Sequence, residues 1–270
     1  RGGGRGGGGG GGGGGVDGQV TTLAHDGTNL YAAGTFMNAG GMEVNGVAKW
    51  NGAAWSALGG GAPDGYVGFL GVFGGTLYAA GAMSTMDGVT VSNVARWTGT
   101  QWTSMGTGLR GRQENLVMAN AMAADGTNIY VGGGFIAAGG VAASCVAMWN
   151  GSAWTNLGSG VVGDSWTNQV LALAFDGTNL YAGGYFTNMG GKAAAHIARW
   201  SPGPTVVPAS GPKAGGAVAT IRSGTGALGS GSDITNVTFG GVKATIQAQG
   251  AAWVRVKTPA ASAAGVKTIV

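Results

Sequence analysis

Charge is scarce in this 270-residue chain: Asp, Glu, Lys and Arg together make up 9%. The net charge is +4, and two of the positive residues, Arg1 and Arg5, sit in an N-terminal glycine tract. No dense basic face is left for a nucleic acid. No run of about 18 apolar residues occurs, so the sequence predicts no membrane span. Cysteine is present once, as Cys145, which excludes a disulfide framework and a cysteine-based metal site. Cys145 precedes an apolar strand pattern with no cationic sequence neighbour to activate it, so burial as a small apolar group is expected. Histidine is present twice, as His25 and His196. There is no secretory leader pattern and no initiator methionine.

Glycine, by contrast, is abundant at 61 residues, with the low-complexity tract RGGGRGGGGGGGGGG at residues 1–15. Two arginines without interleaved aromatics make a weak RNA-binding segment, and a flexible linker is the plainer reading. Low charge and apolar composition suit a surface covered by partners or sugars better than a free monomer.

The chain is organised by a repeat. Tyr31, Tyr78, Tyr130 and Tyr181 are spaced by 47, 52 and 51 residues, and Trp50, Trp97, Trp149 and Trp200 by the same intervals. Each repeat reads as four short strands, in the first copy Val20–His25, Leu30–Phe36, Val44–Trp50 and Ala53–Leu58. The Asp26-Gly-Thr-Asn29 segment, with copies at Asp125 and Asp176, reads as a tight turn. A calcium loop would need further carboxylates at alternate positions, which are missing. With Asn51-Gly52 as a two-residue loop, Trp50 and Trp55 lie diagonally on one face of a hairpin. Large residues on one face and Ala, Val and Leu on the other suit sheets covered on both sides. The expected fold is all-β: a β-propeller of about four blades with four antiparallel strands each.

The pattern LYAGGxF…GG…(V/I)AxW-NGxxW-xxLGxG over residues 19–201 resembles kelch-like propeller repeats of secreted or surface proteins. That resemblance implies a propeller and an extracellular or cell-surface setting, but no single activity. The fourth repeat stops at Trp200 without its second Trp. Residues 1–18 are therefore either a linker or, through roughly residues 5–15, the strand that closes a four-bladed ring; further upstream blades are the alternative.

Residues 202–270 alternate strand-like stretches with Gly, Ser and Pro turns, at Ala217–Ile221, Asn236–Phe239, Lys243–Ala248, Trp253–Lys257 and Val266–Val270. The order Pro208-x-x-Gly211-Pro212-x-x-Gly215-Gly216, Asn236-Val-Thr-Phe-Gly-Gly-Val and Thr258-Pro259 resembles an IPT/TIG domain, which implies an immunoglobulin-like β-sandwich. The short first strand and Arg222 depart from the family pattern.

Catalytic patterns are thin. A propeller followed by an immunoglobulin-like module resembles galactose oxidase-type copper enzymes, but His25 and His196 are placed by the repeat at opposite ends of their blades. No paired acid and base recur, and no GxSxG elbow is present. No cofactor or metal is expected, and no enzyme activity. Binding is expected at the rim holding the variable inter-repeat loops, through Tyr66, Arg110, Arg112 and Trp166, since aromatics and Arg anchor protein and glycan partners. Asn150-Gly-Ser and Asn236-Val-Thr match the N-glycosylation sequon. The resulting expectation is an extracellular structural or adhesive glycoprotein, part of a filament, sheath or wall, whose partners are copies of itself, other surface or filament proteins, or glycans. A carbohydrate-binding or carbohydrate-active propeller is the alternative.

Overall fold

The computed structural model describes residues 14–112, 117–163, 167–201, 205–207, 218–222, 238–239, 242–250 and 253–257. Among these the secondary structure is strand and turn, with no helix, and hence no helix long and apolar enough to cross a membrane. The chain divides into two compact units, Arg1–Ala174 with Ala182–Ala198, and Phe175–Tyr181 with Arg199–Val270.

Each of the first three repeats folds into an antiparallel sheet with its strands in sequence order. The first comprises Val20–His25, Leu30–Gly34, Val47–Trp50 and Trp55–Ala57. The second comprises Tyr66–Phe73, Thr76–Ala82, Val94–Trp97 and Trp102–Ser104. The third comprises Met118–Ala124, Ile129–Gly134, Val146–Trp149 and Trp154–Asn156. In the fourth repeat, Gln169–Phe175, Leu180–Tyr185 and Ile197–Trp200 form three strands in that order.

The final turn departs from expectation. Asn51 N–H donates to Ala54 O at 3.2 Å, making Asn51–Ala54 a four-residue loop, and Trp50 pairs directly with Trp55. The indoles still share a face, with ring centroids 5.4 Å apart and 53° between planes. Trp97 with Trp102 and Trp149 with Trp154 repeat this geometry at 5.3 Å. The turn lengthens because Asn51 Oδ1 accepts from Ala53 N and Ala54 N (2.9 and 2.8 Å), a local side-chain cap that a two-residue loop has no room for.

The link between the second and third strands is not a bare loop. It carries a small hairpin in every repeat: Asn38–Ala39 with Met42–Glu43, Thr85–Met86 with Val89–Thr90, Ala137–Ala138 with Val141–Ala142, and Asn188–Met189 with Lys192–Ala193. The glycine pairs form three of the tips, with φ of 58° and 83° at Gly40 and Gly41, which favours glycine. A second glycine position is steric. Gly34, Gly81, Gly133 and Gly184 face a bulged first strand, where an added Cβ would lie 1.9 to 2.2 Å from a backbone carbonyl oxygen.

Adjacent sheets pack face to face. Tyr31, Ala33 and Val47 of the first sheet form a core with Leu70, Leu77, Ala79, Ala95 and Trp102 of the second. Ala80 and Val94 of the second join Met122, Ile129, Val131, Ala147, Trp149 and Trp154 of the third. The second Trp of a repeat also reaches back to the preceding one: Trp102 Nε1 donates to Leu58 O at 2.9 Å and Trp154 Nε1 to Met105 O at 2.6 Å, both buried.

Among the described residues no sheet closes on itself, and the expected closing strand at residues 5–15 falls almost wholly outside them. Residues 1–13 lie outside the described residues. The described end of that stretch pairs elsewhere: Gly40 N donates to Gly15 O at 3.0 Å and Val16 bridges Ala39, on the first repeat's small hairpin. The N-terminal segment thus lies on the first small hairpin as the later crossings lie on theirs, and among the described residues the fourth sheet has three strands.

In the second unit, Thr205–Val207, Val218–Arg222, Trp253–Lys257 and Thr245–Gly250 form an antiparallel sheet in that order, and Thr238–Phe239 pairs with Val242–Lys243. Ala244, Val254 and Val256 are buried. The expected strand Val266–Val270 lies outside the described residues.

Replacing Trp102 or Trp154 with Phe keeps an aromatic ring but removes the inter-repeat hydrogen bond. Urea unfolding is expected to show a loss of ~1–3 kcal/mol for each. Trp55→Phe, in the first of the described sheets, is expected to cost less.

Candidate functional site

Each sheet has two ends of different construction. One end carries the Asp-Gly and Asn-Gly turns. In the first repeat, Asp26 Oδ1 accepts from Thr28 N and Asn29 N at 2.8 and 2.6 Å, while Tyr31 OH donates to Asp26 Oδ2 at 2.7 Å. The third repeat copies this, with Tyr130 OH donating to Asp125 Oδ2 at 2.6 Å. These bonds explain why Tyr follows Asp by five residues, and they bias both groups. Bonds from the Asn29 side chain and backbone, then from Tyr31, hold the Asp26 carboxyl well below its ordinary value. Burial, aided by Asp26, pushes the Tyr31 hydroxyl up to about 12. Burial pushes the Asp125 carboxyl up, yet bonds from Asn128, Tyr130 and Thr127 together hold it below its usual value. The Asp176 carboxyl is held at about 2, chiefly by the backbone of Asn179 and Thr178. These carboxylates serve turns.

The other end carries the small hairpins and the inter-repeat crossings, which are clamped together. Leu109–Arg110 pairs with Ala137–Ala138, and Val161 bridges Met189. Gly60 N donates to Asp87 Oδ1 at 2.7 Å. Asp64 accepts from Ser84 Oγ and Thr85 N, and Asp17 from Met37 N and Asn38 N. The loop carboxylates thus bind backbone rather than facing a common cavity.

Tyr66, Arg110 and Arg112 all fall at this second end, but in different crossings. Tyr66 opens the second sheet, half-buried, its ring lying over Gly68 of its own strand. Arg110 and Arg112 are exposed in the crossing from the second to the third sheet. Trp166 lies outside the described residues. Arg112 is also the cation nearest in effect to Cys145, a neighbour invisible in the linear sequence. Burial nevertheless dominates, pushing the Cys145 thiol up, and its Sγ donates to Asn168 O at 3.3 Å.

Asn150 is exposed, and its Oδ1 accepts from Ser152 N, Ser152 Oγ and Ala153 N at 3.0, 3.0 and 2.8 Å. The sequon therefore doubles as a turn cap, as Asn51 is without a sequon. Asn236 lies outside the described residues. His25 Nδ1 accepts from Gly27 N at 3.1 Å beside the Asp-Gly turn, whereas His196 contacts Gly184 O at the hairpin-bearing end. No group of three or more His, Cys, Asp or Glu is poised for a metal among the described residues.

Two clefts open at the turn-bearing end, which the linear sequence did not single out. One of about 440 Å³ lies between the first and second sheets, lined by Asp26, Tyr31, Lys49, Arg96 and Trp97 among others. Another, of about 200 Å³, is lined by Phe73, Tyr78, Asn128 and Trp149. Trp149 Nε1 is buried without a hydrogen-bond partner. Cross-strand pairing of Lys49 with Tyr31 and Arg96 with Tyr78 sets these cations there. The signal for them was a cation immediately before the first Trp in three of the four repeats, Lys49, Arg96 and Arg199.

Comparison with known proteins places an IPT/TIG domain at residues 204–270. That match lies beyond the repeats and does not bear on residues 19–201. No curated protein matches the chain. Among solved structures, an extracellular domain assigned to a one-component system of B. thetaiotaomicron is similar over 61% of this chain and 19% of its own length. Its identity is 13% and its TM-score 0.41. An extracellular domain assigned to a hybrid two-component system of the same organism is similar over 76% of this chain and 33% of its own, with 10% identity and a TM-score of 0.34. The chain thus spans a third or less of those structures.

The turn carboxylates dictate the pH response. Their folded values lie below the ordinary 3.8, so their stabilisation is complete above that pH and lost as pH falls toward 2. Tyr31 acts in the opposite sense, contributing below pH 10 and losing that contribution as pH rises toward 12. Melting temperature measured across pH should show both arms, with Tyr31→Phe removing part of the alkaline one.

Proposed function

We propose that the four repeats are successive blades of a kelch-like β-propeller, and that this chain is a non-enzymatic extracellular module with a structural or adhesive role. It associates with copies of itself or docks to other surface components, as a subunit of a filament, sheath or wall. The observation that carries this reading is the surface composition. Only 9% of residues are charged, and large apolar side chains stand exposed on sheet faces, with Leu23 at 57% and Ile197 at 67%. Exposed apolar patches mark interaction sites, and these side chains would supply one. The IPT/TIG domain, an immunoglobulin-like module, and the two sequons support the extracellular setting.

Sedimentation velocity of the purified chain over a concentration series tests the reading, and a mass above the monomer is expected. Secretory expression adds a second check: intact mass should show glycan that Asn150→Gln and Asn236→Gln each reduce.

A carbohydrate-binding role has its own support in the inter-sheet cleft, where Lys49, Arg96, Asp26 and Trp97 bring hydrogen-bonding groups beside an indole. On a glycan array, Arg96→Ala should weaken such binding at least ~10-fold. Loss on Arg110→Ala with Arg112→Ala would instead assign it to the hairpin-bearing end.

A further inference from the structure

The outer faces of the repeat stack are the two halves of one interface. In the second and third sheets, one face packs on the preceding sheet and the other on the following one. The position of Leu23 on the first kind of face is occupied by Leu70 and Met122 in the next two repeats, each 3% exposed. Val20 corresponds to Val67, Ala119 and Val170, at 1%, 2% and 0%. Leu23 itself is 57% exposed and Val20 39%. On the second kind of face, Ile197 corresponds to Val47, Val94 and Val146, at 0%, 0% and 3%. Ile197 is 67% exposed, and Leu171, at the position of Thr21, Gly68 and Asn120, is 42% exposed.

Terminal repeats of a stacked array ordinarily carry a polar outer face, because nothing covers it. These end faces instead keep the apolar residue types that the interior interfaces bury. Isolated exposed leucines are common and mean little by themselves. Here the exposed residues sit at repeat positions whose partners are already known from the interior of the same chain. The innermost strands add polar contacts inside the stack: Thr21 Oγ1 donates to Val67 O at 3.0 Å, and Asn120 Nδ2 to Val170 O at 3.1 Å. Leu171 supplies no such bond, but neither does Gly68, and the second and third sheets pack regardless.

We infer that the occupant of these faces is a second copy of this chain, joined head to tail, with Leu171 and Ile197 of one copy against Val20 and Leu23 of the next. The argument is continuity: the interior interfaces pair these two faces, so each end face is complementary to the opposite end of an identical molecule. Such a contact is heterologous. Two copies of four sheets close into a ring if the rotation allows, and grow into a filament if it does not. This inference rests on the self-association reading above and specifies its surface.

The test uses the full chain and the variants Leu23→Asp and Ile197→Asp. Both sites are exposed, so circular dichroism melts should match the wild type; Leu23→Ser and Ile197→Ser serve where an Asp variant does not fold. Light scattering should show the wild type associated and each variant monomeric, its association weakened ~30-fold or more. An equimolar mixture of the two variants retains one intact pair of faces, Ile197 on one partner and Leu23 on the other, and should recover a dimer. A monomeric wild type overturns both this inference and the self-association reading. Assembly that survives both substitutions overturns the end-face contact and leaves self-association in place. Folded monomeric variants whose mixture stays monomeric overturn the head-to-tail arrangement.

Discussion

Face-to-face packing of short sheets holds the repeat unit together. A four-stranded sheet of three- to eight-residue strands buries too little on its own, so each repeat depends on its neighbours for a core. The tryptophan hairpin makes that dependence directional. Its paired indoles form a broad apolar face, and the second of them donates its N–H to a carbonyl of the preceding repeat. A buried donor that lost its acceptor would be costly, so the hydrogen bond sets register as well as adhesion.

The two ends of the sheets then take different chemistry from the same scaffold. Tight turns need a capped backbone and use Asp and Asn for it, which occupies Asp26, Asp125 and Asp176. The long connections would be loose, but the chain folds them into small hairpins and pins each with the crossing that precedes it. What remains open is the groove between neighbouring sheets at the turn end, and the apolar faces where the stack stops.

The site residues chosen from loop variability illustrate the limit of reading a chain in one dimension. Arg110 and Arg112 do reach the expected end of their sheet, exposed, while Tyr66 lies back over its own strand. The cleft at Lys49 and Arg96 was hidden because its walls come from two repeats. The Leu23 and Ile197 positions were hidden for a related reason: in sequence they look like core residues, and they are exposed because no sheet among the described residues covers them.

Strand order, the pairing of indoles on one face, the burial of Cys145 and the immunoglobulin-like module at the C-terminus were legible in the order of residues. They follow from local periodicity, turn chemistry and motif spacing, which are written along the chain. The four-residue turn at Asn51, the small hairpins and the inter-sheet clefts were decided by tertiary structure. Each depends on which backbone or face lies opposite, and that opposition arises between segments some 50 residues apart, where sequence spacing carries no distance.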